Sequence, residues 1–284
     1  MDKGNNPLEG KRVVLTRAPE QATELAGRLH AMGAEVLLMP TVAFAPPENS
    51  SAMDAAIEQL DQFDWILLTS MNVVRFFIWR MQSQDGFSAL RNTKVGAVGP
   101  GTAILSQSEG LDVDYVAKKG TGEALAKELG ESMRGCRILL PRSDRADDRL
   151  PALLREAGAD VTDVIAYRTV KPETIDPEVL GRLRRAEVDA IVFASPSAFH
   201  NLCDVVPAEE LAKLSERVQF TAIGPTTAKA LEGAGVRVAI QAKEASAESL
   251  AESIAKHFEG FGVKGPRDEW PAAEGPETRA ARRA

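Results

Sequence analysis

Two stretches of this chain place the same residue types at the same spacing where chemistry could be done. Residues 95–105 read VGAVGPGTAIL and residues 220–230 read FTAIGPTTAKA. Each is an apolar, strand-like run that stops at Gly-Pro and restarts as a helix through a small or hydroxyl residue, Thr and Ala. Gly99 matches Gly224, Pro100 matches Pro225 and Thr102 matches Thr227, always 125 residues apart (224 − 99). The first backbone N–H groups of such a helix have no partner within it. They point off the end of the sheet, which suits an anion or a polar ligand.

Hydroxyls and cations recur at the same kind of place, the carboxyl end of a strand, where open parallel sheets bind ligands. In the first half these are Thr16 and Arg17, then Thr69, Ser70 and Asn72, then Gly99 and Thr102. In the second half they are Arg142 and Ser143, Ser195 and Ser197, then Gly224, Thr226 and Thr227. Taken singly, each has a plainer role: Ser70, Ser195, Thr102 and Thr227 suit helix caps or first turns, and Arg17 and Arg142 suit solvated strand ends. Their convergence on one edge, twice, favours ligand binding for the set. Tyr167, one of two tyrosines, occupies the position that Val42 holds in the first half. A phenol there can donate a proton or a hydrogen bond; the alternative is a half-buried tyrosine with its hydroxyl in solvent.

Other chemistries find no support. His30, His200 and His257 lie far apart, and Cys136 and Cys203 form neither a disulfide framework nor ligand spacing, so no metal site is expected. After Gly99-x-Gly101 the third glycine of a dinucleotide loop is replaced by Ile104, and no phosphate-binding G-x-x-x-x-G-K loop occurs, so no nucleotide cofactor is expected.

The elements that must position these residues also repeat. RVVLTR at 12–17 returns as RILLPR at 137–142, Leu25 and Leu29 as Leu150 and Leu154, and Gly33-Ala34 as Gly158-Ala159. Asp64 and Ile66 return as Asp189 and Ile191, Ser70 as Ser195, Gly110 as Gly235, and Glu123 with Leu125 as Glu248 with Leu250. One register held over so many elements indicates a duplicated unit. Each copy alternates strand and helix, with five strands, so an α/β fold with parallel, flavodoxin-like sheets is expected.

A chain of 284 residues with 44% hydrophobic residues can bury two cores of ordinary size. Its net charge of −7 argues against nucleic acid or an anionic membrane as partner. The opening MDKGNNPLEGKR lacks the apolar run of a signal peptide, and no stretch reaches the length of a membrane span, so a cytoplasmic protein is expected. The simple division is two tandem domains split near residue 135. The second strand of each copy argues otherwise. The runs 36–44 and 161–171 are long, lack a glycine turn and are followed by Pro46 and Pro172. Two such strands crossing between sheets would exchange the halves. Domain 1 would then hold residues 1–40 plus 172–260, domain 2 residues 44–166, and the crossovers would be 41–43 and 167–171. Residues 261–284 mix Gly, Pro and both charge signs and are expected to form a flexible tail.

From about residue 11 to 258 the chain resembles the uroporphyrinogen-III synthase family. The resemblance is carried in order by VVLTRAPEQATELAGRL, LLTSMNVV, AVGPGTA, YRTV, FASPSAF and AIGPTTAKALEGAG. It implies two α/β domains joined by a two-stranded connector, with the active site in the cleft between them, in a monomer without metal or cofactor. It also implies the reaction: hydroxymethylbilane, a linear tetrapyrrole, is dehydrated and closed with inversion of ring D to uroporphyrinogen III, on the route to heme, siroheme and cobalamin. The substrate would be taken from the preceding enzyme of the pathway.

Carried over by matching residues, the resemblance implies that Arg17, Ser70, Gly99, Tyr167, Ser195, Ser197, Gly224 and Thr227 line the site, with Tyr167 as the acid. Thr102 and Arg142 follow from the repeat, and Thr69 and Thr226 from their place at the strand ends. Two departures stand out: Val73 replaces the alanine often found after the asparagine of the first Ser turn, and the tail is longer than the fold needs. The competing expectation is a non-enzymatic, two-domain cytoplasmic sensor for a polyanionic small molecule.

Overall fold

The computed structural model describes residues 6–84, 90 and 93–259; the expected tail from 261 lies outside the described residues. In the first half the elements are β1 (Arg12–Leu15), α1 (Pro19–Ala31), β2 (Glu35–Leu38), β3 (Ala43–Ala45), α2 (Ser51–Glu58), β4 (Trp65–Leu68), α3 (Met71–Gln82), β5 (Lys94–Ala97), α4 (Pro100–Ser108), β6 (Tyr115–Val116) and α5 (Gly122–Leu129). The second half runs β7 (Arg137–Ser143), α6 (Arg149–Glu156), β8 (Asp160–Val170), α7 (Pro177–Arg184), β9 (Ala190–Phe193), α8 (Pro196–Cys203), α9 (Ala208–Leu214), β10 (Gln219–Ala222), α10 (Pro225–Gly233), β11 (Val238–Gln241) and α11 (Ala247–Glu259).

These strands form two sheets, ordered β11-β10-β9-β1-β2 and β3-β8-β7-β4-β5-β6. In the first sheet the strands counted along the chain run second, first, third, fourth, fifth, the flavodoxin-like order; the second has the same order when each strand is counted by its place in its own repeat (β8, β7, β4, β5, β6), with β3 added at its outer edge. The pairings within each five-strand core are parallel. Strand β9 is buried along its whole length, as a strand covered on both faces must be. Val14, Ile191 and Phe220 pack one face of the first sheet, and Val13, Leu15 and Val192 the other. Ile66, Leu68 and Leu139 divide in the same way from Leu67, Ile138 and Leu140 in the second.

Each sheet takes strands from both halves of the sequence. β1 pairs with β9, Val13 against Ala190, and β7 with β4, Ile138 against Trp65, which is the same register displaced by one repeat. The hydrogen bonds repeat as well. The Arg12 N–H donates to Asp189 Oδ2 at 2.8 Å, and the Arg137 N–H donates to Asp64 Oδ2 at 2.8 Å. The chain accordingly separates into two compact units that divide at Ala43/Phe44 and Val170/Lys171.

One expectation needs correction. The expected strand 36–44 is interrupted: β2 ends at Leu38 and β3 begins at Ala43. Pro40 lies in the gap, on the edge strand of the first sheet, while the Met39 and Thr41 N–H groups beside it still donate to the Leu15 and Thr16 carbonyls at 2.9 and 3.0 Å. Residues Tyr167 to Val170 are part of β8, and the change of unit falls at Lys171.

Within the second unit, Asp54 of α2 accepts from Arg80 Nε and Nη2 of α3, both at 2.6 Å, and from Gln84 Nε2 at 2.7 Å. The Arg80 hydrogen bonds hold the Asp54 carboxyl below its ordinary range, against desolvation by burial. A carboxyl lowered in the folded state stabilises above its unfolded pKa of about 4 and loses that contribution as pH falls through the folded value. Asp54→Asn is therefore expected to lower the melting temperature at neutral pH, with the gap to the parent closing below about pH 4 in a series of thermal melts.

Candidate functional site

The candidate residues are regrouped by the pairing of the halves. Thr16, Arg17, Ser195, Ser197, Gly224, Thr226 and Thr227 stand at the carboxyl edge of the first sheet. Thr69, Ser70, Gly99, Thr102, Arg142 and Tyr167 belong to the second sheet and its following turns. Reading each half as a site of its own would have mixed the two edges.

On the first edge, Thr16 is fully buried and its hydroxyl donates to the Val192 carbonyl at 2.7 Å, which ties β1 to β9 and takes it away from any ligand. Arg17, next in the chain, is half-buried and makes no hydrogen bond or ion pair with a described residue. Burial pulls its pKa down, and the charge of Glu24 partly restores it; a guanidinium stays protonated regardless. Ser195 caps α8, its Oγ accepting from the Ala198 N–H at 3.2 Å, and Ser197 is half-buried in the first turn of that helix.

The α10 turn is different. Gly224 is its N-cap, extended at φ −174° and ψ 178°, with no side chain to cap. Pro225 has no N–H, and the first backbone bond is from Ala228 to the Gly224 carbonyl at 3.0 Å. The N–H groups of Thr226 and Thr227 are left without a helical partner. Thr226 is exposed and Thr227 is buried.

The second edge repeats this with changes. Ser70 caps α3 by accepting from the Val73 N–H at 3.2 Å. Gly99 begins α4 in the same extended form, Ala103 makes the first bond at 3.0 Å, and the N–H groups of Gly101 and Thr102 remain. Neither cap glycine is demanded by its backbone. A Cβ at Gly224 would meet nothing within 4 Å, and one at Gly99 only the Gly120 Cα at 3.5 Å. At Gly224 this leaves open space beside the free N–H groups, and at Gly99 a Cβ would come into ordinary contact with Gly120.

Arg142 is not a solvated strand end. It is 7% exposed, and donates to Asp163 at 3.2 Å, to Asp148 at 2.8 Å and to the Ala146 carbonyl at 2.5 Å. Its Nε is buried without a partner, and it lines, with Thr69, Gly122 and Leu150, a cavity of about 190 Å³. Tyr167 is buried too, edge-on to Phe44 and stacked on Phe76, each 5.5 Å away between ring centres. Its hydroxyl makes no hydrogen bond with a described residue. A register shift between Arg142 and Ser143 sets Tyr167 opposite Ser143.

Asp148, Asp163, Phe44 and Phe76 were not found from sequence. The Asp163 position could have been reached only from the register of β7 and β8, in which it faces Leu140. Among the described residues no group of three His, Cys, Asp or Glu side chains could hold a metal ion, and no helix is long and apolar enough to cross a membrane.

This geometry defines a class: a duplicated α/β protein whose two parallel sheets each present a Gly-Pro helix start at the carboxyl edge. The chain belongs to the uroporphyrinogen-III synthase family; the family model described as "Uroporphyrinogen-III synthase HemD" matches residues 23–252. The uroporphyrinogen-III synthase of Synechococcus elongatus is 30% identical over 252 residues, 87% of this chain and 96% of that protein. That of Chlorobaculum parvum is 28% identical over 87% of this chain and 98% of its own length. Among solved structures, the Helicobacter pylori uroporphyrinogen-III synthetase shares the fold with a TM-score of 0.58 at 17% identity, over 87% of this chain and 99% of that one. A mutant synthase from Thermus thermophilus shares it with a TM-score of 0.55 at 23% identity, over 88% and 100%.

The two serine caps are structural whatever else they do. Ser70→Ala and Ser195→Ala are each expected to cost about 1 kcal/mol of stability, whereas Gly224→Ala leaves stability within about 0.5 kcal/mol, as read from urea denaturation.

Proposed function

We infer that this chain is a uroporphyrinogen-III synthase, a cyclising lyase of tetrapyrrole biosynthesis that converts hydroxymethylbilane to uroporphyrinogen III with inversion of ring D. Family membership supports the activity. The observation that carries the site assignment is the pair of glycine-capped helix starts, α4 and α10, each with free N–H groups and no side chain capping them.

The substrate carries eight carboxylates on four pyrroles. N–H groups at Gly101, Thr102, Thr226 and Thr227, with the hydroxyls of Thr69, Ser70, Ser195 and Ser197, suit such a ligand without reactive side chains. Ring closure needs the terminal pyrrole held so that its substituted carbon attacks first, giving a spiro intermediate. That is catalysis by orientation. Tyr167 has the one acid role: as the C–O bond of the hydroxymethyl group breaks, its proton goes to the departing hydroxide, which leaves as water. The azafulvenium cation that remains is the electrophile. The Tyr167 ring is packed edge-on to Phe44 and stacked on Phe76, so the phenol is positioned by ring packing, with no hydrogen bond to a described residue to break. The proposal also includes action as a cytoplasmic monomer supplied by the preceding enzyme. The sensor alternative is not favoured, because the family and the relatives named above are synthases.

Supplied with hydroxymethylbilane, the protein is expected to yield isomer III; only isomer I, as in the protein-free control, would sink the synthase reading. Tyr167→Phe keeps the ring packing and is expected to lower kcat by about 10² to 10⁴ with little loss of stability. An unchanged kcat would remove Tyr167 as the acid.

A further inference from the structure

The repeat supplies an internal control on the two arginines that end β1 and β7. Arg17 and Arg142 are the same position in the two halves, and the strands before them pair in the same register. Leu15 faces Leu38 in one sheet, and Leu140 faces Asp163 in the other. The surroundings are not the same. Arg142 is paired with Asp163, whose other oxygen accepts from Arg155 at 2.7 Å, and with the exposed Asp148. The residues one repeat earlier are Leu38 and Thr23. Leu38 is 40% exposed, and the Thr23 hydroxyl is turned to the Pro19 carbonyl at 3.2 Å. Neither offers a carboxylate.

Nor does the neighbourhood of Arg17 supply one by another route. Glu24 acts on it through space, yet the Glu24 carboxylate already pairs with Arg28 at 3.3 Å. A half-buried cation without a bonded counter-ion costs stability, and a bound anion would offset that cost. The position of Arg17, just beyond β1 and before α1, is on the same sheet edge as Ser195 and the free N–H groups of α10.

We propose that Arg17 takes a carboxylate of the anionic substrate, and that Asp148 and Asp163 have converted its counterpart Arg142 into an internal strut that binds none. This rests on the synthase reading above. It adds that the duplicated halves have diverged by charge, one arginine kept open and the other closed by two carboxylates.

Three full-length variants test it, with hydroxymethylbilane as substrate for kinetics and uroporphyrin, a non-reacting octacarboxylate, as a calorimetric binding probe. Arg17→Gln is expected to raise KM and weaken uroporphyrin binding about tenfold or more, with kcat affected less and the melting temperature unchanged. Arg142→Gln is expected to lower the melting temperature by roughly 2–8 °C, with KM and probe affinity of the folded protein within about twofold. Leu38→Asp places a carboxylate in the register of Asp163. It is expected to weaken binding as Arg17→Gln does, and the double variant is expected to be no weaker than either single one. Unchanged KM and probe affinity in Arg17→Gln overturn the proposal, as does a loss of probe affinity in Arg142→Gln at unchanged melting temperature. Formation of isomer I alone by the parent protein would instead overturn the synthase reading, and the probe affinities would still decide the role of Arg17.

Discussion

The structure depends on strand pairing between the two halves of the sequence. β1 lies against β9 and β7 against β4, so neither half closes a sheet alone. An aspartate marks each junction. Asp189 accepts the Arg12 N–H and returns its own N–H to the Arg12 carbonyl at 2.8 Å; Asp64 does the same with Arg137, its N–H reaching the carbonyl at 2.9 Å. A carboxylate accepting a backbone N–H is a charge-assisted bond that is costly to leave unmade. A shift of one residue in either pairing would lose it and exchange the side chains between the two differently packed faces of the sheet.

That constraint decides which residues share an edge. Arg17 and Ser195 come from different halves, as do Arg142 and Ser70, and each pair shares a sheet edge only because the strands before them are neighbours. The two edges then differ in detail. Ser70 and Ser195 spend an oxygen on their own helix starts, while Gly99 and Gly224 cannot, so the free N–H groups lie at the glycine turns. Symmetry of backbone with divergence of side chains allows a duplicated protein to treat an asymmetric ligand asymmetrically.

Most of the architecture was legible in the sequence, since a repeat displaced by a constant interval carries its elements with it. The strand runs at 12–17 and 137–142, the Gly-Pro turns and the closing helices all stand where their apolar spacing places them. Pro40 was visible in the sequence but the interruption was not, because on an edge strand a proline need not break the ladder, and the Met39 and Thr41 N–H groups still bond Leu15 and Thr16. The surroundings of Arg142 and Tyr167 were not legible. Their partners, Asp163 across β7 and Phe44 and Phe76 from other elements, are set by register and packing over distances of up to 123 residues (167 − 44) along the chain.

By itself the sequence determined the duplication, the alternation of strand and helix, and the places where a strand gives way to an uncapped helix start. These depend on local propensity and on a periodicity of a few residues. Only the tertiary structure decided that Thr16 is tied to Val192, that Arg142 bonds two carboxylates while Arg17 bonds none among the described residues, and that the Tyr167 ring packs against two phenylalanines. The reason is physical. The state of a charge or a hydroxyl depends on what is packed within a few ångströms of it, and in this fold those neighbours come from the other half of the chain or from the next strand over.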